Sequence, residues 1–243
     1  MQIRAVLFDL DGTLLPMDQD AFLRAYIGGL AAVAAERGYN PTEIAHAIMN
    51  GTAAMYKNDG SATNEQVFWR TLASAVGEGI LTHRGIFDEF YRSKFDQVRN
   101  TCGFEPRARE IVDFVKSRGL RTALATNPLF PSAATECRVR WAGLYTSDFE
   151  LVTTYEGSRF CKPSLDYYRD VLAEMRLTAN ECLMVGNDVD EDMVAMRLGM
   201  RVFLLTDGLL NRSGSDISAY PHGNIDRLLA FIDGLVGNIP TSE

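Results

Sequence analysis

Positive charge and histidine are scarce in this chain. Its 243 residues hold 24 lysines and arginines against 32 aspartates and glutamates, for a net charge of −8, and only three histidines. Such a balance disfavours nonspecific binding to nucleic acid or to anionic lipid, and an anionic substrate would need positive charge supplied locally at its site. The four cysteines, Cys102, Cys137, Cys161 and Cys182, form no CxxC pair and have no histidine at ligand spacing, which excludes an obvious zinc site and gives no disulfide framework. They read as packing thiols. His46, His83 and His222 are widely separated and read as surface or packing residues. No apolar run approaches the length of a membrane span. The only early apolar stretch is cut by Asp9 and Asp11, so it does not read as a signal peptide. A cytoplasmic protein is expected, and Asn211-Arg-Ser213, which has the form of a glycosylation acceptor, is then a chance match.

What the chain does have is apolar material. Hydrophobic residues make up 47% of it, enough for one large domain or for a core domain carrying an insert. Ile3 to Phe8 is continuous and strand-favouring, as suits a central strand buried on both faces. It runs into Asp9-Leu-Asp11-Gly12-Thr13. Two carboxylates at the end of a buried strand are costly: like charges about 4 Å apart repel by roughly 4 kcal/mol at an effective dielectric near 20. A divalent cation, a proton or a lysine would offset them.

From Asp18 to Asn100 no strand pattern occurs. Helical patterns are expected over 21–37, from Pro41, from Asn64 as a cap to Val76, and over 85–98. After Pro106 the pattern alternates. Helices are expected over 107–117, 131–141, 164–175, 192–198 and 225–236. Strands are expected over 120–125, 149–153, 182–185 and 202–205. Alternation of this kind implies parallel strands joined by crossovers, an α/β doubly wound sheet with an inserted all-helical segment. The core is placed at 1–16 and 104–243 and the helical insert at 17–103.

In such sheets ligands bind beyond the carboxyl ends of the strands. Asp9 and Asp11 follow the first strand and Thr126-Asn127 the second. The third leads toward Lys162-Pro163, and Gly186-Asn187-Asp188 through Asp192 follow the fourth. Four polar groups from distant stretches therefore converge on one sheet edge. Asp190 and Glu191 read as solvated residues near a helix start, and Arg159 as a solvated charge.

These four motifs, in this order, resemble those of the haloacid dehalogenase-like hydrolase superfamily, over nearly the whole chain. The resemblance implies a Rossmann-like core and a magnesium-dependent phosphatase working through an aspartyl-phosphate. Asp9 would be the nucleophile. Asp11 would be the general acid and base, which points to a phosphatase or phosphomutase, because dehalogenases and phosphonatases of the family lack an aspartate there. Gly12 would allow a tight turn beside the ligand, the Thr126 hydroxyl and the Asn127 backbone amide would hold phosphoryl oxygens, and Lys162 would offset charge. Mg2+ would be bound by Asp9, the Asp11 backbone carbonyl and an acid of the fourth motif. Here the chain departs from the common Gly-Asp, having Gly186-Asn187. Either Asp188 is the ligand, with Asp192 acting through water or orienting Lys162, or Asn187 takes that position with Asp192 in support. A carboxylate suits magnesium better than an amide, which favours Asp188.

The insert resembles the helical cap that many members carry between the first two motifs. Positions 126 and 162 are only 36 apart, too close for a second cap between them. Hinges are expected at 14–18 and 99–105. A closing cap favours a small phosphorylated metabolite as partner over a protein, with Tyr56, Lys57 and Asn58 as candidate contacts. No membrane or nucleic-acid partner is expected, and a monomer or homodimer is. The alternatives to a phosphatase are a phosphomutase and a non-catalytic phosphometabolite-binding protein that kept the site.

Overall fold

A computed structural model describes residues 2–236. In chain order its elements are β1 (Ala5–Phe8), α1 (Gln19–Ala35), α2 (Pro41–Tyr56), α3 (Asn64–Val76), α4 (Gly79–Thr82), α5 (Arg84–Ser93), α6 (Arg107–Ser117), β2 (Arg121–Leu124), α7 (Ser132–Trp141), β3 (Leu151–Val152), α8 (Leu165–Met175), β4 (Cys182–Gly186), β5 (Arg201–Leu205), β6 (His222–Gly223) and α9 (Ile225–Val236). Short 3-10 turns at Phe95–Thr101 and Met193–Leu198 are among the connections.

The strands form one parallel sheet in the order β3-β2-β1-β4-β5-β6. β1 lies in the middle, pairing Phe8 with Leu124 on one side and with Val185 on the other. Its four residues are fully buried because both faces are covered. Alternate residues point to opposite faces. Val6 and Phe8 join the apolar cluster of α6, α7 and α9, whereas Ala5 and Leu7 join that of α8. This is the Rossmann-like α/β arrangement. The chain reverses its direction of sheet growth between β1 and β4, so the motifs at their carboxyl ends sit at the switch point.

The segment between β1 and β2 is helical. α2 starts as the sequence implies, with Pro41 in its first turn and the Asn40 side chain accepting from the Thr42 and Glu43 amides. Three local expectations change. The cap of α3 is Thr63, not Asn64, in a reciprocal box with Gln66; Asn64 is buried and bonds instead to the Pro128 and Phe160 carbonyls. The helix expected over 85–98 ends at Ser93 and tightens into the 3-10 turn. That turn carries Phe95 into a ring cluster with Phe22, Phe90, Tyr91 and Trp141. The helix expected over 192–198 is a 3-10 turn, begun by an Asp192 tied to other groups and stopped at Gly199, whose φ is +90°. β6 was not expected, since two residues behind Pro221 make no apolar run.

The two connections to the helical segment lie side by side. Met17 bridges Cys102, the Asp18 amide donates to the Thr101 carbonyl at 3.1 Å, and the Gly103 amide donates to the Pro16 carbonyl at 2.7 Å.

The edge at β3 is held by Asp148. Its carboxylate accepts from Arg109 at 2.6 Å, from Lys116 at 2.9 Å, and from the Tyr145 amide at 2.8 Å. The hydrogen bond from Arg109 leads the effects that hold its pKa well below the carboxylate range. A depressed folded-state pKa contributes stability above the ordinary value near 4, and loses it as pH falls toward the folded value. Both cations are partly exposed, and solvent screening keeps the effect modest. Asp148→Asn should therefore cost about 1–2 kcal/mol at pH 7 in urea unfolding. The gap from the parent should narrow steadily as pH drops below about 4.

Candidate active site

At the carboxyl edge of the sheet, β1 delivers Asp9 and, after a tight turn, Asp11. Gly12 adopts φ +93°, and a Cβ there would lie 2.3 Å from Nδ2 of Asn187, so both backbone and space require glycine. Thr13 turns its hydroxyl back to Asp9 Oδ2 at 3.1 Å and to Asn187 Oδ1 at 3.0 Å.

Lys162 comes from the loop after β3 and is 1% exposed. Its Nζ donates to Asp9 Oδ1 at 2.8 Å and to Asp192 Oδ1 at 2.6 Å. Burial works against its charge, but Asp192 and Asp9 outweigh that and hold its pKa well above the ordinary lysine value. Burial also raises Asp192, and Lys162 pulls it back only in part. The other Asp192 oxygen accepts from the Asp188 amide at 3.0 Å. It fills the space a side chain at Gly186 would need: a Cβ there would meet Oδ2 at 2.0 Å. Both Asp192 oxygens are thus engaged, one of them on Lys162.

Asn187 is buried and spends its amide on the Gly208 carbonyl, at 2.6 Å, and on the Thr13 hydroxyl. Asp188 lines the cavity. One of its oxygens caps the following turn, accepting from the Asp190 and Glu191 amides, and the other accepts from Arg212 at 2.6 Å. Asn187 and Asp188 both line the cavity.

Thr126 follows β2. Its carbonyl accepts from the Thr153 hydroxyl at 2.6 Å and from the Tyr167 hydroxyl at 3.0 Å, which fixes the backbone. Its own hydroxyl is buried without a hydrogen-bond partner, as is Oδ1 of Asp11. Asn127 does not offer its side chain to the cavity alone: it donates to Glu191 at 2.9 Å and to the Tyr56 hydroxyl at 3.2 Å, and accepts from the Lys162 amide.

Three residues with a place here were missed or misread. Arg138 of α7 is fully buried and pairs with Oδ2 of Asp11, while its guanidinium lies 4.1 Å over the Phe130 ring. Burial raises the Asp11 pKa, Arg138 lowers it, and the balance is upward. The signal for Arg138 was its position on the stripe Ala134, Arg138, Trp141, where only an apolar residue or a paired cation fits. Glu191 is half-buried rather than a freely solvated charge. It accepts from Asn127 and Tyr56, and burial raises its pKa. Arg212, in the loop after β5, had no local signal. Of the three candidates from the helical segment, Tyr56 reaches the site, whereas Asn58 builds its own loop by bonding to Ala62 and Gly60 and Lys57 is exposed. Arg159 pairs with Asp170 on the surface, and none of the three histidines lines the cavity.

The motif aspartates, Thr126, Asn127, Glu191 and Arg212 border a cavity of about 290 Å3, while Lys162 and Arg138 stand behind the Asp9 and Asp11 carboxylates. Its far wall is apolar, with Phe22 and Leu23 of α1 and Leu129 and Phe130 beyond β2.

The sequence profile of the haloacid dehalogenase-like hydrolases matches residues 3–199. The chain belongs to that family. No curated protein matches it in sequence. Among solved structures, it is similar to a HAD phosphatase from Thermococcus onnurineus, at TM-score 0.56 and 16% identity, covering 97% of this chain and 98% of that one. A predicted phosphoglycolate phosphatase from Haemophilus somnus 129pt gives TM-score 0.55 and 16% identity, covering 95% and 98%. CbbY from Rhodobacter sphaeroides, in complex with phosphate, gives 0.54 and 16% over 91% and 93%. At these identities the likeness is one of fold.

The Arg138 pair can be tested apart from any activity. Arg138→Met strands the Asp11 carboxylate and should cost about 3 kcal/mol in urea unfolding. Combined with Asp11→Leu, the loss should fall short of the sum of the single losses by about 1–3 kcal/mol in a double-mutant cycle.

Proposed function

We propose that this hydrolase is a phosphatase that cleaves a small phosphorylated metabolite through a phosphorylated Asp9. The observation that carries the reading is a ring of groups around one carboxylate. Asp9 is held by Lys162 and Thr13, beside a buried Thr126 hydroxyl and an Asp11 oxygen that have no partner in the protein. A buried hydroxyl without a partner is costly, and a phosphoryl oxygen would satisfy it.

In the first step an Asp9 oxygen attacks phosphorus and the bond from phosphorus to the alcohol oxygen breaks. Asp11, protonated, gives its proton to that oxygen. Burial favours the protonated acid at this position. In the second step water attacks the phosphoryl group, Asp11 takes its proton, and phosphate leaves with Asp9 regenerated. Lys162 holds Asp9 in place and offsets charge on the transferring group. An aspartate at position 11 supports phosphoryl transfer over dehalogenation, which needs no acid for its leaving group.

The donor set also fits a magnesium ion. Among the described residues no group of three or more acids, histidines or cysteines is close enough to form an all-protein metal cage. Magnesium rarely uses one, keeping waters and taking one or two carboxylates plus substrate phosphate. Asp9 and Asp188 would hold it, together with the Asp11 backbone carbonyl. Bound there, it would withdraw charge from the phosphoryl oxygens. Arg212 now occupies the Asp188 carboxylate, and its side chain is 56% exposed, with solvent to move into. We further propose that the helical segment acts as a cap on this cavity, placing Tyr56 against Asn127 and Glu191, and that residues 14–18 and 99–105 are its hinges.

Asp9→Asn should lower turnover of a generic aryl phosphate by about 1,000-fold or more while the far-ultraviolet circular dichroism stays unchanged. Activity near that of the parent would exclude Asp9 as nucleophile. Asp188→Asn should raise the magnesium concentration for half-maximal turnover by about 10-fold or more, and the Kd for Mn2+ followed by electron paramagnetic resonance with it. Asn187→Ala should shift both less; the reverse order would move the ligand to Asn187.

A further inference from the structure

The acidic cavity shares its apolar wall with a second cavity. Leu23, Leu129 and Phe130 wall it, and the same three residues wall a second cavity of about 60 Å3 inside the helical segment. Leu23 is 44% exposed and the least packed of the three. Beyond them the second space is lined mainly by rings: Tyr26, Phe68, Trp69, Phe87, Tyr91 and Tyr155. Their polar atoms are already used. The Tyr26 and Tyr91 hydroxyls bond to each other at 2.6 Å, and Trp69 Nε1 donates to the Tyr155 hydroxyl at 3.4 Å. A polar substrate group would find few partners there.

Charge points the same way. Around the acidic cavity stand Asp20 and Glu191 besides the motif aspartates, and Arg212 is the one cation lining it among the described residues. Arg212 is already bonded to Asp188 and Gln19. The second cavity adds no cation, only the carboxylate of Asp88. A carboxylate or second phosphate on the leaving alcohol would meet like charge with no free partner.

We propose that the alcohol released by this enzyme carries an apolar body, an aromatic ring or branched alkyl group, which seats in the ring-lined annex, and that it carries no second anionic group. This rests on the phosphatase reading above and narrows its substrate class. Benzyl phosphate and 2-phosphoglycolate test it, because both are primary alkyl esters, differing in an apolar against an anionic body. With the full-length protein and magnesium, kcat/KM for benzyl phosphate should exceed that for 2-phosphoglycolate by about 10-fold or more. Leu23→Asp should cut that ratio by about 10-fold. A ratio at or below one would overturn the proposal and leave the phosphatase reading standing.

A binding measurement covers the case in which neither ester turns over. Trp69 lines the annex, whereas Trp141 packs against Phe95. In a Trp141→Phe background, benzylphosphonate should change the remaining tryptophan emission saturably, and phosphonoacetate should not. That response without hydrolysis would sink the phosphatase reading while keeping the annex. No response to benzylphosphonate, or an equal response to both, would overturn the annex.

Discussion

One ammonium group between two carboxylates is the contact on which the site depends. Lys162 is buried, and a buried lysine without partners would lose its proton. Asp9 and Asp192 prevent this from opposite sides, 2.8 and 2.6 Å away. The three groups come from the ends of β1, the loop after β3 and the turn after β4, so the ion triad ties together segments far apart in sequence. Other features follow from it. Gly186 must lack a side chain because Asp192 occupies that space. The turn over 193–198 starts where it does because Asp192 is anchored.

The same logic extends to the rest of the edge. Asp11 has Arg138 and Asp188 has Arg212, so each motif carboxylate meets a cation from another part of the chain. These cations differ in what they can do. Arg138 is sealed inside the protein and acts as a permanent counter-charge. Arg212 stands at the surface and is the replaceable one. A chain with net charge −8 thus concentrates acid at this edge without leaving it uncompensated.

The sheet was legible because its signals are local: apolar runs of strand length, each ended by glycine or polar residues. Asp9, Asp11, Thr126, Lys162 and Asp188 were legible because each follows such a run, and the structure sets four of them round one cavity, with Lys162 bonded to Asp9 behind it. Arg212 was not, since a loop arginine looks like any solvated charge until the fold brings it to Asp188. Glu191 was misread for a related reason. It sits among Asp188, Asp190 and Asp192, and its partners, Asn127 and Tyr56, come from elements far away in sequence. Asn64 was misplaced by a single residue because Thr63 and Asn64 are both good caps, and tertiary bonds to Pro128 and Phe160 decided between them.

The paired connectors at Pro16–Asp18 and Thr101–Gly103 carry a mechanical consequence. Two strands cross between the sheet and the helices, and they are hydrogen-bonded to each other. Neither can pivot alone without breaking those bonds, so together they behave as a ribbon, stiff in its own plane and soft across it. Any swing of the helical segment is thereby confined to one axis, and a residue inserted in only one connector would put the whole bundle out of alignment with the carboxylates beneath it.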